Sequence, residues 1–290
     1  MRRLFALLAL CLPLTLHAAE RPQVVTTFSV LADLTREIGG DDIELTNLVG
    51  ADADAHVFEP APRDLRTLLD ADLLIANGLG FEPWLERLWS AGEARGRRID
   101  ASGGVVPLSV EEDGRRIPDP HAWQSLGNAE IYARNIARAL SEIDPVNAAD
   151  YAARRDAWLE RLAALRAEIA PRLAALPAER RRVLTSHDAF GYFAREWNLQ
   201  FRAAQGVSDA AEPSAAEVAA LIRQLRGEGV RALFVENIRD PRLIEQIAVE
   251  AGAQVGGTLY SDALAAEGPA SSYLGMYRQN VERLLEALAP

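Results

Sequence analysis

Short apolar runs and longer amphipathic stretches alternate along this chain. PQVVTTFS reads as a strand, VLADLTREIGG as a helix closed by glycine, IELTNLVG as a second strand and PRDLRTLLDA as an amphipathic helix. ADLLIANG is continuously apolar before it ends in Asn-Gly, the pattern of a strand buried on both faces of a parallel sheet. The helical period returns from about Asn128 to Ile143, and Pro145 ends it. From Asn147 to about Leu176, alanine, leucine and arginine keep helical spacing with no glycine and one interruption at Pro171. Unbroken, about 25 residues of helix reach nearly 40 Å. This segment is therefore a candidate connector between two halves, although the pattern equally allows an amphipathic core helix. Beyond it, RRVLTS, RALFVE and GGTLY read as strands, and FGYFAREW, AAEVAALIRQLRGEG, PRLIEQIAVEAG and YLGMYRQNVERLLEAL as helices. Ser214 and Glu217 fit a capping box at the start of one of them. The alternation predicts an α/β fold, with two similar halves but no convincing internal repeat.

The N-terminus departs from this pattern. Arg2 and Arg3 precede an apolar run from Leu4 to Leu16, and Ala18 and Ala19 follow, the layout of a cleavable secretory signal peptide over residues 1–19. The run is well short of the roughly 20 residues that a membrane-spanning helix needs. Leu8-Ala9-Leu10 lacks a small residue just before Cys11, so a lipoprotein is not expected and the predicted location is the periplasm. Cleavage near Ala18 or Ala19 removes Cys11, the only cysteine, together with His17, and leaves no disulfide or thiolate chemistry.

Composition narrows the function. The 290 residues are 49% hydrophobic, enough for two lobes. The formal net charge of −11 becomes about −13 once Arg2 and Arg3 are removed, which argues against nucleic acid or an anionic membrane surface as a partner. Every basic side chain is arginine.

Only four histidines occur, and three remain after cleavage. His56 lies in DAHVFEP after a strand, His121 in PDPHAWQS before a helix, and His187 directly after VLTS; Asp262 directly follows GGTLY. Open parallel sheets bind ligands beyond the carboxyl ends of their strands, where at least three of these side chains fall. Three imidazoles and one carboxylate suit zinc or a later transition metal better than calcium or magnesium. Four protein ligands fill a tetrahedral shell and leave no position for an activated water, which favours binding over catalysis. Spacings of 65 and 66 residues match no short zinc motif, and a loop histidine or a strand-end aspartate alone is more often a surface, capping or turn residue.

The segments VVTTFSVLADLTREIGGDDIELTNLV, DAHVFEP, ADLLIANGLGFEPWLERL, DPHAWQS, SHDAFGYFAREWNL, EPSAAEV, LFVENIRDPRLIEQIAVEAG and GTLYSDAL occur in this order from about Gln23 to the C-terminus. Together they resemble the periplasmic solute-binding proteins of zinc and manganese ABC transporters. The resemblance implies two α/β lobes with mainly parallel sheets flanked by helices, residues 20–145 and 178–290, joined by one long connecting helix at 146–177. It implies a cation held in the cleft between them by His56, His121, His187 and Asp262. It also implies delivery to a membrane permease with a cytoplasmic ATPase, by a monomer that is not an enzyme and that releases metal through modest lobe or loop shifts.

His187 stands where manganese importers tend to have glutamate, so the set resembles the zinc branch, with manganese as the alternative. SVEEDGRRIPDP contains no histidine, unlike the long histidine-rich loop that many zinc members carry before the second ligand, so a related branch supplied by a periplasmic zinc chaperone is a possibility. Metal-bound imidazoles usually donate their second N–H to a carboxylate or carbonyl. Glu59, Asp119 and Glu236 are candidates, although each also reads as a cap or solvated loop carboxylate, the reading favoured for Asp119. Trp123 and Phe190 are candidate apolar walls. Affinity is expected to fall as pH drops through about 6.5. A zinc hydrolase using Asp262 as base, or a binding protein for haem or an iron chelate, are the competing classes.

Overall fold

The computed structural model describes residues 20–91, 95–112, 114–207, 214–228, 230 and 232–289, and the expected signal peptide lies outside the described residues. The chain begins with β1 (Gln23–Phe28), α1 (Ser29–Gly39), β2 (Glu44–Val49), α2 (Pro62–Leu69), β3 (Leu73–Ala76), α3 (Leu85–Ala91) and β4 (Arg97–Asp100). The four strands form a parallel sheet in the order β2-β1-β3-β4. The central positions explain the apolar runs: Val24 to Phe28 and Leu73 to Ala76 are all buried, because a central parallel strand is covered on both faces.

An antiparallel hairpin follows, β5 (Ser109–Glu112) with β6 (Arg115–Pro118), and leads into α4 (Leu126–Ile143). Next comes α5 (Ala148–Ala174), whose 27 residues span about 40 Å. Its buried side chains, Tyr151, Trp158, Leu162, Leu165, Ile169 and Leu173, form one stripe at helical spacing. Pro171 does not interrupt this helix. It sits in the last turn, where the missing N–H costs one intrahelical bond and little chain remains beyond it to be redirected.

The second half runs through β7 (Arg182–Thr185), α6 (Gly191–Trp197), β8 (Gln200–Ala203), α7 (Ala215–Glu228), β9 (Ala232–Glu236), α8 (Arg242–Ala251), β10 (Gln254–Leu259) and α9 (Tyr273–Leu288). Its strands are also parallel, in the order β10-β9-β7-β8. Numbered from its own first strand, this sheet repeats the order of the first one. The two lobes therefore share one topology, a repeat that the residues do not disclose.

The larger apolar core runs continuously from the first sheet through α4 and α5 to Phe190, Tyr273 and Val281 in the second lobe. A smaller cluster, including Leu184, Leu225, Leu233 and Ile247, packs β7 and β9 against α7 and α8. The lobes are thus welded along the α4, α5 and α9 side. The loops that follow β2, β6, β7 and β10 are where the polar side chains converge.

Candidate metal centre

His187 lies two residues past β7, Asp262 three past β10, His121 three past β6, and His56 in the loop after β2. The two lobes bring these four side chains together from distant parts of the sequence. All four are buried, and one donor atom from each lies within 4.8 Å of every other.

The separations carry the argument. His56 Nε2 is 3.2 Å from His121 Nε2 and 3.3 Å from Asp262 Oδ2, while His187 Nε2 is 3.0 Å from Asp262 Oδ2 and His121 Nε2 is 3.6 Å from Asp262 Oδ1. A tetrahedral ion with bonds of about 2.0–2.1 Å has donor–donor edges of about 3.3 Å. These four separations, which involve both Asp262 oxygens, fall on either side of that value, and the whole donor set lies within 4.8 Å.

Two carboxylates behind the imidazoles aim them inward. Asp119 Oδ1 lies 2.8 Å from His121 Nδ1 and also accepts the His121 backbone N–H at 3.0 Å. Glu236 Oε2 lies 2.6 Å from His187 Nδ1, a close but bent contact, and its Oε1 accepts the His187 backbone N–H at 2.9 Å. A proton held on Nδ1 leaves the Nε2 lone pair free to face the centre. Asp119 is therefore not a solvated loop carboxylate as expected, because the lobe interface buries it completely behind His121. Its second oxygen has no hydrogen-bond partner and faces the space that the absent side chain of Gly191 leaves open. Glu59, by contrast, is exposed and orients no imidazole.

Phe81 forms the wall that sequence reasoning missed. Its ring centroid is 4.5 Å from that of His56 and 4.7 Å from that of Trp123, which lies 5.4 Å from His121. Phe190 instead stacks on Phe201 at 5.0 Å. The signal for Phe81 was its place just beyond the Asn-Gly end of a buried strand.

Three buried carboxylates, Asp119, Glu236 and Asp262, surround three imidazoles, an arrangement that demands positive charge. Burial holds His56 below its ordinary value, so that ring stays neutral and able to ligate. Burial also opposes charge on His187, but Glu236 and Asp262 outweigh it and raise this group to about 10. Asp262, despite its burial, is held well below the usual carboxylate range, chiefly by His187 and His121. Without a metal, a proton on His187 supplies part of the missing charge. The donor set and spacing fit a tetrahedral divalent cation.

The sequence model of the family described as "ZnuA: Zinc-uptake complex component A periplasmic" matches residues 24–287. The chain is 32% identical over 268 residues to the iron-binding protein YfeA of Yersinia pestis, covering 92% of this chain and 86% of that protein. It is 32% identical over 279 residues to the manganese ABC transporter substrate-binding lipoprotein PsaA of Streptococcus pneumoniae, covering 93% and 90%. Among solved structures, the periplasmic zinc binding protein TroA of Treponema pallidum superposes with a TM-score of 0.88 at 30% identity, covering 93% of this chain and all of that one. These relatives carry three different metals in their names.

PsaA is a lipoprotein by name, and this corrects the expectation that lipid anchoring is improbable here. That exclusion rested on the absence of a small residue just before Cys11, in a segment outside the described residues. Such a local feature weighs less than relatedness across 93% of the chain. An extracytoplasmic location fits these relatives.

Proposed function

The chain belongs to the family of periplasmic metal-binding components of ABC transporters, which bind and hand over a substrate and are not enzymes, and on that premise we propose that its cargo is Zn2+. In this reading the ion sits between lobes 20–145 and 178–290, joined by the connector at 146–177, and is held by His56, His121, His187 and Asp262. The observation that carries the reading is the buried set of three imidazole nitrogens and one carboxylate whose donor atoms lie within 4.8 Å of one another. Nitrogen-rich, four-coordinate sites suit zinc, whereas manganese favours more oxygen donors.

Capture would proceed at a site already close to its loaded geometry. Asp119 and Glu236 hold two imidazoles in the ligating tautomer, and Phe81 and Trp123 exclude water from the N-lobe side. Delivery would be to a membrane permease driven by a cytoplasmic ATPase. The test is elemental analysis of the purified mature protein, followed by competition among zinc, manganese and iron(II). One zinc per chain that the other two cannot displace at equal concentration supports the reading; preferential retention of manganese or iron overturns it.

A further inference from the structure

Helices α4 and α9 occupy equivalent places in the two lobes: α4 follows the segment bearing His121, and α9 follows the segment bearing Asp262. Each has its own N-cap serine. Ser125 accepts from the Asn128 N–H, and Ser272 accepts from the Gly275 N–H. The first helical amide of each is bound differently. The Leu126 N–H donates to Glu196 Oε2 at 2.8 Å, and Glu196 belongs to α6 of the opposite lobe. The Tyr273 N–H donates to Asp33 Oδ2, also at 2.8 Å, and Asp33 belongs to α1 of the opposite lobe. α1 and α6 are themselves equivalent, since each follows the first strand of its lobe.

We propose that Asp33 and Glu196 are a reciprocal pair of positioning residues for cargo binding, each carboxylate fixing the helix start behind the other lobe's ligand segment. This rests on the metal-binding reading above. A carboxylate at a helix N-terminus meets both the unpaired amides and the positive end of the dipole, so the attachment is directional. The two fixed helix starts are in turn stitched to each other. Trp123 Nε1 and Gln124 Nε2 both donate to the Ser261 carbonyl, at 2.9 and 2.7 Å, and Tyr273 Oη donates to the Trp123 carbonyl at 2.6 Å. Trp123 is two residues beyond His121, and Ser261 immediately precedes Asp262. Displacing either helix start therefore changes the placement of Asp262 relative to His121.

The connecting helix braces both suppliers. Arg166 pairs with Glu196 at 3.2 Å, and Arg161 pairs with Glu37, one turn beyond Asp33 on α1. His56 and His187 lie outside this seam, so the pair governs the His121–Asp262 edge of the site.

The test compares Asp33→Ala, Glu196→Ala, Asp33→Asn and Glu196→Gln in the full mature chain, reading zinc dissociation into a chelator and the visible spectrum of the cobalt(II) form. Each alanine variant is expected to lose zinc about tenfold faster, the low end of the range for residues that orient metal ligands, and to change the cobalt bands. The amide variants keep an oxygen for the helix amide and should restore both. A purely structural role would lower the melting temperature without moving the spectrum. Folded alanine variants with wild-type dissociation and spectrum overturn the proposal. If the alanine variants do not fold, hydrogen exchange in the metal-free wild type decides: slow exchange at the Leu126 and Tyr273 amides supports it, and fast exchange overturns it. A wild-type protein that takes up neither zinc nor cobalt overturns the metal-binding reading itself, and the exchange measurement does not depend on that outcome.

Discussion

Zinc binding should expel close to one proton at neutral pH, and His187 is its source. Burial disfavours the imidazolium, yet Glu236 and Asp262 on its two sides lift it to about 10, against 6.5 for an ordinary histidine. Zinc needs the same Nε2 lone pair, so loading must remove that proton. At pH 7.5 the removal costs about 3 kcal/mol, taking 1.36 kcal/mol for each pKa unit. The apparent association constant should therefore climb about tenfold per pH unit from about pH 7 to about pH 9. An unperturbed imidazole would confine that climb below pH 6.5, as the sequence suggests; the two carboxylates move it upward. Calorimetric titrations at pH 7.5 in buffers of different ionisation enthalpy, with a competing chelator, count the released protons directly. Glu236→Gln removes one of the two carboxylates, so burial weighs more heavily, the His187 value falls, and proton release and pH slope both shrink. Zinc binding to the wild type without proton release at pH 7.5, or an unchanged count in Glu236→Gln, would refute this account.

Three further outcomes follow from the same contacts. Because its folded value is raised, His187 stabilises the metal-free protein fully below about pH 6.5, and that contribution fades as pH rises through about 10; calorimetric melting should show this decline in the metal-free form but not in the zinc form. Burial lifts Asp33 to about 6, so the charged carboxylate costs the fold up to about 3 kcal/mol above that pH; Asp33→Asn should raise the melting temperature at pH 7.5, and the gain should vanish below about pH 4. In Gly191→Ala the new Cβ would stand 2.7 Å from Asp119 Oδ2 and push this carboxylate off His121. Zinc affinity should then fall about 10- to 100-fold in a folded protein, and wild-type affinity in that variant would show that Asp119 does not orient the ring.

The sequence by itself determined the elements whose burial leaves a periodic mark. β1 and β3 are covered on both faces and must be uninterrupted apolar runs, and α5 shows its buried stripe at helical spacing. The scarcity of histidine drew attention to His56, His121 and His187, and the family resemblance joined Asp262 to them as a donor set; their spacing alone favoured no metal site. β4, β8 and the β5–β6 hairpin left no such mark: they are short and half in water, so polar residues such as Arg97, Gln200 and Glu111 satisfy them. For the hairpin a signal existed in the Asp-Gly pair of EEDGRR. Only the tertiary structure decided that Asp119 and Glu236 stand behind imidazoles while Glu59 does not, that Phe81 closes the wall, and that each lobe caps a helix of the other. Those roles depend on separations of about 3 Å between residues up to 240 positions apart, as for Asp33 and Tyr273. Local patterning records burial and period; it carries no record of which buried polar group meets which, because that pairing exists only once the two lobes have closed on each other.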